Sequence, residues 1–192
     1  MKKLLLALLL VCLHASVPLP ARAATLDGLA FDDQIRLAGR ELQLNGLGVR
    51  AVFIFRAYVA GLYLGQKTAV PQEVLQQAGP KRLQLRMLME IGAPDIRKAL
   101  IDGMQKNVSQ AQWAAMQERV AQFGRTIDAL GSTRTGDTLT LDYVPGRGMT
   151  LAVNGVAQGA AIAGADFYNA LLGIFVGDDP VDTRLKAGLL GL

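Results

Sequence analysis

The sequence predicts one α+β domain behind an export signal. Three observations carry that expectation. Short alternating or β-branched runs between turn signals read as strands. Separate stretches space their apolar residues at three and four, as helices do. The first 23 residues have a composition unlike the rest. The 192 residues, 51% hydrophobic and 19% charged, suffice for one sizeable core. No repeat, low-complexity tract or linker divides them, so one α+β domain over residues 24–192 is the economical reading.

Lys2 and Lys3 precede a nearly unbroken apolar run from Leu4 to Leu13. Pro18 and Pro20 break the run, and Ala21-Arg22-Ala23 has the small-x-small pattern of a cleavage site. The run is too short for a spanning helix, which needs about 20 residues. Residues 1–23 are therefore expected to be a bacterial signal peptide cleaved after Ala23, which makes the product periplasmic or secreted and not transmembrane. Cleavage removes three of the 20 basic residues and none of the 16 acidic ones, so the formal charge falls from +4 to +1. Such a near-neutral chain argues against nucleic-acid binding, which requires a basic surface. The single Cys and single His, Cys12 and His14, leave with the signal. The processed chain then has no Ser-His or Cys-His nucleophile and no thiolate or imidazole metal ligand. No metal and no cofactor is expected.

Residues 25–48 read as two or three short strands, with Asn45-Gly46 as a turn signal. Residues 49–64 are rich in β-branched and aromatic side chains and read as one long strand, with Gly61 marking a bulge or break. Period two along such a strand puts Arg50, Val52, Ile54, Arg56 and Tyr58 on one face, with Phe53, Phe55 and Val59 on the other. Residues 71–78 suit a short helix, with Pro71 near its first position. Residues 81–90 alternate as a strand through Leu83, Leu85, Met87 and Met89. Pro94 and Asp95 open a helix whose apolar face is Ile96, Leu100 and Met104. Ser109 and Gln112 form a capping box for a further helix, whose stripe from Trp113 to Leu130 ends at Gly131. Thr138–Val144 and Met149–Val153 read as strands, and Asn154-Gly155 turns the chain again as in a hairpin. Residues 164–176 read as a helix, and 180–190 as a last one starting at Pro180. Gly155 to Gly177 is apolar enough to suggest a membrane span, but Asp166 at its centre and five glycines favour hairpin plus helix.

Arg50 is the residue that most invites chemistry. An arginine in an apolar strand keeps its charge and presents a planar fork of donors. Facing a cavity, it suits a carboxylate, enolate or phenolate; otherwise it makes a salt bridge or snorkels to the surface. Tyr58 and Tyr63 fall on opposite faces of a regular strand, and either could donate to a ligand. Asp142 and Tyr143 have no partners that the sequence assigns, and no paired carboxylates stand out. Gly46-Leu-Gly48 is not a dinucleotide fingerprint, because the third glycine is missing and a strand follows.

Gly46-Leu-Gly48-Val-Arg50, then Tyr58-Val-Ala-Gly61-Leu-Tyr63-Leu64, resembles the chalcone isomerase superfamily. So does the closing segment Ala170–Gly177, followed by Pro180 and Leu185-Lys186. The similarity spans roughly residues 40–190 and looks closest to exported bacterial chalcone isomerase-like proteins. It implies an open-faced β-sandwich, a large antiparallel sheet with helices packed on one side and a ligand cleft between them. In the plant enzymes an arginine stabilises the anionic oxygen that develops during cyclisation, a threonine and a tyrosine position a water and the ketone, and an asparagine and a further, late threonine or serine bind the substrate. Non-catalytic members bind fatty acids through the same arginine.

Carried over one position at a time, the arginine is Arg50 and the first threonine falls on Tyr58. The family tyrosine falls near Ile96, the asparagine near Gly103 and the late threonine on or near Ile174. No Tyr occurs between residues 64 and 142, so the catalytic tyrosine has no counterpart there. The expectation is therefore a protein that is not an enzyme, binding a small apolar acid such as a fatty acid, or an aromatic small molecule, at Arg50 and Tyr58. No catalytic residue is assigned. The alternatives are an intramolecular lyase or isomerase acting on a phenolic or enone substrate, and a structural or interaction domain whose cleft is filled by its own side chains.

Overall fold

The computed structural model describes residues 23–192. The expected signal segment, with Cys12 and His14, lies outside the described residues except for Ala23. Eleven strands and six helices are described. They are β1 (Ala23–Leu26), β2 (Leu29–Asp32), β3 (Gln34–Leu37), β4 (Arg40–Val52), β5 (Phe55–Leu64), α1 (Pro71–Gln76), β6 (Lys81–Met87) and β7 (Ile91–Gly92). There follow α2 (Ala93–Lys106), α3 (Gln110–Ala115), α4 (Gln117–Asp128), β8 (Ser132–Thr133), β9 (Thr138–Val144), β10 (Gly148–Val153), β11 (Val156–Ile162), α5 (Ala165–Val176) and α6 (Thr183–Leu189).

Seven strands form one antiparallel sheet in the order β11-β10-β9-β6-β5-β4-β3. The α+β class with helices packed on an antiparallel sheet is as expected. Alternation along the strands divides their side chains between two cores. On one face Ala60, Leu62, Leu64, Leu83, Leu85, Leu139, Leu141 and Leu151 pack with Met104, Phe123, Phe167, Leu171, Phe175 and Leu185 from the helices. On the other, Leu42, Leu44, Val59 and Tyr63 pack under Phe31 of the β1–β2 hairpin.

The expected long strand over 49–64 is instead two strands joined at Phe53-Ile54. Val52 pairs with Phe55, leaving a two-residue turn. Phe53 has φ +54, a region that bulky residues rarely adopt, and no Gly, Asn or Asp announces the turn. By contrast Asn154-Gly155, with φ +51 and +79, makes the expected hairpin turn to β11. Asn45-Gly46 is not a turn. It lies within β4 at a bulge, where Asn45 donates Nδ2 to the Leu189 carbonyl at 2.8 Å. Gly61 is paired inside β5 rather than breaking it, and Phe31 occupies the space where its Cβ would sit. Strand β6 ends at Met87, leaving Met89 exposed.

The helix expected to run on from Ser109 is two helices that part at Met116, whose side chain is buried. The capping box forms as expected, with Ser109 Oγ accepting from the Gln112 N–H and Gln112 Oε1 from the Ser109 N–H. Helix α6 starts at Thr183 rather than Pro180, because Asp182 caps it by accepting the Arg184 and Leu185 N–H groups.

Candidate functional site

The bulge at Asn45 sets which residues of β4 face the helices. Before it Leu42 and Leu44 face the hairpin core; after it Leu47 and Val49 do. Gly46, Gly48 and Arg50 consequently share the opposite face, under α6. A Cβ on Gly46 would lie 2.2 Å from the Gly188 carbonyl oxygen, and one on Gly48 2.6 Å from that of Leu185. The glycines let the helix lie directly on the strand. Two residues further on, Arg50 Nη1 meets Asp182 Oδ2 at 3.2 Å and donates to its neighbour Ala51's carbonyl at 2.7 Å.

Tyr58 stands directly opposite Arg50 across the β4–β5 pair. The two share a face, as expected, but as neighbours on adjacent strands and not along one strand. A second bulge lies between the Arg50–Tyr58 and Ala51–Arg56 pairs. Arg56 is thereby removed from Arg50's face, contrary to expectation, and bonds Asp27 of the β1–β2 turn at 2.8 Å.

Arg50 and Tyr58 both line a cavity of about 230 Å³ between the sheet and the helices. Leu85, Leu139, Leu141 and Leu151 supply its floor from β6, β9 and β10. Ile96 and Leu100 of α2 and Ile174 and Phe175 of α5 supply its roof. Asp95 and Ala99, both exposed, mark the mouth together with Val52. The wall is otherwise apolar, so polar recognition falls to few groups. Among the described residues, Arg50 bonds only through Nη1, and the Tyr58 hydroxyl has no protein partner. Burial raises the Tyr58 pKa above that of an ordinary phenol, with Arg50 opposing. The hydroxyl stays protonated and is a donor rather than a base.

Asp182 is the residue that the sequence reading missed. Burial pushes its carboxyl pKa up, but the Leu185 and Arg184 N–H groups and Arg50 outweigh that, and the net shift is downward. It is therefore an anion facing Arg50. Its signal in the sequence was an acidic residue three positions before Leu185, a capping pattern hidden by the nearby Pro180.

The other candidates belong to the packing. Tyr63 is buried in the hairpin core, where burial raises its pKa to about 12. Asp142 accepts from Arg82 Nε and Nη2, both at 2.6 Å, across the β6–β9 pair. Tyr143 stacks on Tyr168 with ring centroids 5.3 Å apart. Among the described residues no three His, Cys, Asp or Glu side chains cluster as metal ligands, and no helix is long and apolar enough to cross a membrane.

A family model described as chalcone isomerase-like matches residues 23–191. The chain belongs to the chalcone isomerase-like family. The resemblance carried by Gly46, Gly48 and Arg50 is thus borne out. Among solved structures, a fatty-acid binding protein of Arabidopsis thaliana matches with a TM-score of 0.70 and 14% identity over 88% of this chain and 96% of that one. At that identity the likeness shows the shared fold. A sequence search of curated proteins gives no match.

At the chalcone isomerase-like positions matched from sequence, Ile96 and Ile174 both line the cavity roof, where the enzymes would present hydroxyls. Gly103 lies beneath Ile174; a Cβ there would be 3.0 Å from the isoleucine Cγ2. The two isoleucines make the roof hydrocarbon, and the polar groups that remain on β4 and β5 are Arg50 and Tyr58.

Proposed function

We propose that this chalcone isomerase-like protein is an exported, non-catalytic binder of a small apolar acid. The supporting observation is an apolar cavity with an arginine and an unpartnered phenol side by side on one wall. The carboxylate would accept from Arg50 and from the Tyr58 hydroxyl, and the hydrocarbon would lie between Ile96, Ile174 and the sheet. The likeness to a fatty-acid binding protein supports this class of ligand. The cavity size narrows it. An apolar cavity of roughly 150 Å³ takes benzene, so by proportion this one takes about nine non-hydrogen atoms. Octanoate and cinnamate, with ten and eleven non-hydrogen atoms, are close to that size; palmitate, with eighteen, would protrude.

The Arg50–Asp182 contact favours a second reading, in which Arg50 serves to hold α6 and the cavity is packing space. Native mass spectrometry of the purified protein, followed by calorimetric titration with octanoate, cinnamate and palmitate, separates the two. Binding of the shorter acids, weakened about tenfold or more in Arg50→Ala, supports the binder. Absence of any acid affinity, or affinity indifferent to Arg50, assigns the arginine to structure. Turnover of chalcones or related enones above the buffer rate would instead establish an isomerase or lyase.

A further inference from the structure

The β4–β5 hairpin ends in the most exposed apolar segment among the described residues. Val52, Phe53, Ile54 and Phe55 are 40, 98, 88 and 61% exposed, and Met89 joins Ile54 and Phe55 at a shallow pocket beside them. Nothing within the fold requires this. The turn would form more easily with glycine at residue 53, where φ is +54. A bulky aromatic is thus held in an unfavourable backbone region and pointed into water.

We propose that this tip inserts into the headgroup–acyl boundary of a lipid bilayer. The turn is two residues wide and projects beyond the sheet, so it offers a wedge rather than the flat patch that a protein partner would cover. The apolar segment lies between two arginines, in the sequence Arg50-Ala-Val-Phe-Ile-Phe-Arg56. The Arg56 side chain is 64% exposed and its only anionic partner among the described residues is Asp27. An exposed pair of that kind is weak, which leaves Arg56 able to meet a lipid phosphate. Apolar tip below, cation behind it, is the profile that suits anionic headgroups over acyl chains. The root of the tip is also the mouth of the cavity, since Val52 lines it. An apolar molecule would pass between bilayer and cavity with little exposure to water. The insertion itself does not depend on what the cavity holds.

The test is flotation with vesicles of phosphatidylethanolamine and phosphatidylglycerol, beside vesicles of phosphatidylcholine alone. The purified protein is compared with the double variant Phe53→Ser, Ile54→Ser, so that both carry the same N terminus. The wild type is expected to float with the anionic vesicles, and the double variant to lose about tenfold or more of that partitioning at an unchanged Tm. Arg56→Gln is expected to weaken binding to the anionic vesicles only. The proposal is overturned if the wild type stays with the unbound fraction, or if the double variant floats equally well. It is overturned equally if the wild type is a dimer that the double variant dissolves, because the tip then serves a second copy of the chain.

Discussion

Asp182 spends one carboxylate oxygen on the start of α6 and the other on Arg50. The second contact competes with any acid that enters the cavity head first. Asp182→Asn keeps the cap, since Asn serves that position as well as Asp, and removes the competing charge. It is expected to raise affinity for octanoate severalfold while lowering stability by less than about 1 kcal/mol, as for a partly exposed pair. Calorimetry and thermal unfolding of the same variant check both. Because the folded-state pKa of Asp182 lies below the unfolded value of about 3.9, its stabilisation is full above that pH and is lost as pH falls through the folded pKa. In acid titration the wild type is expected to lose stability over a stretch below about pH 4 that Asp182→Asn lacks.

At the scale of elements, the family motif reads as a packing device. Gly48→Ala would put a methyl 2.6 Å from the Leu185 carbonyl oxygen, a backbone atom that cannot swing aside. The variant is expected to lose about 2 kcal/mol or more, measured by urea unfolding, as overpacking of a helix on a strand does. Phe53→Gly acts in the opposite direction. It relieves the positive φ at a fully exposed site and is expected to add roughly 0.5–1 kcal/mol, or to leave stability unchanged.

These same elements divide what was legible from what was not. Helix α2 and the capping box of α3 were readable because short-range chemistry forms them. Tyr58 shares Arg50's face by a route the sequence did not show. Across a two-residue turn an even separation falls on opposite faces, and the bulge beside the Arg50–Tyr58 pair restores Tyr58 to that side while leaving Arg56 off it. The β4–β5 turn was not readable, since a tip shaped for something outside the chain carries aromatics where turn residues belong. The bulge at Asn45 was hidden too, because its bonds run to Leu189 and Thr68, 144 and 23 residues away. The cavity walls come from nine elements, and no local pattern announces that they converge.

For the whole molecule, pH dependence follows from four buried side chains. Lys81 is 2% exposed, donates Nζ to the Leu75 carbonyl at 2.7 Å, and is driven by burial to a pKa of about 8. Between about pH 8 and 10 the unfolded chain binds the proton that the folded one has released, so stability rises with pH. Burial raises Tyr58, Tyr63 and Tyr168 instead. Above about pH 10 the unfolded chain loses its phenolic protons first, and stability falls. The Tm is therefore expected to peak near pH 10, and Lys81→Met is expected to flatten the rising limb and leave the falling one.

One strand joins both cores. From Ala57 to Leu64 nearly every side chain of β5 is buried, toward the helices or toward Phe31 by turns, and β4 and β6 flank it on either side. Local opening cannot free its amides without emptying two hydrophobic clusters at once, so they will exchange with deuterium only when the entire domain unfolds. Three residues away, the amides at Phe53 and Ile54 have no such protection. The most durable and the most labile backbone in the protein thus belong to a single hairpin, and mass spectrometry of its peptides would show the gradient directly.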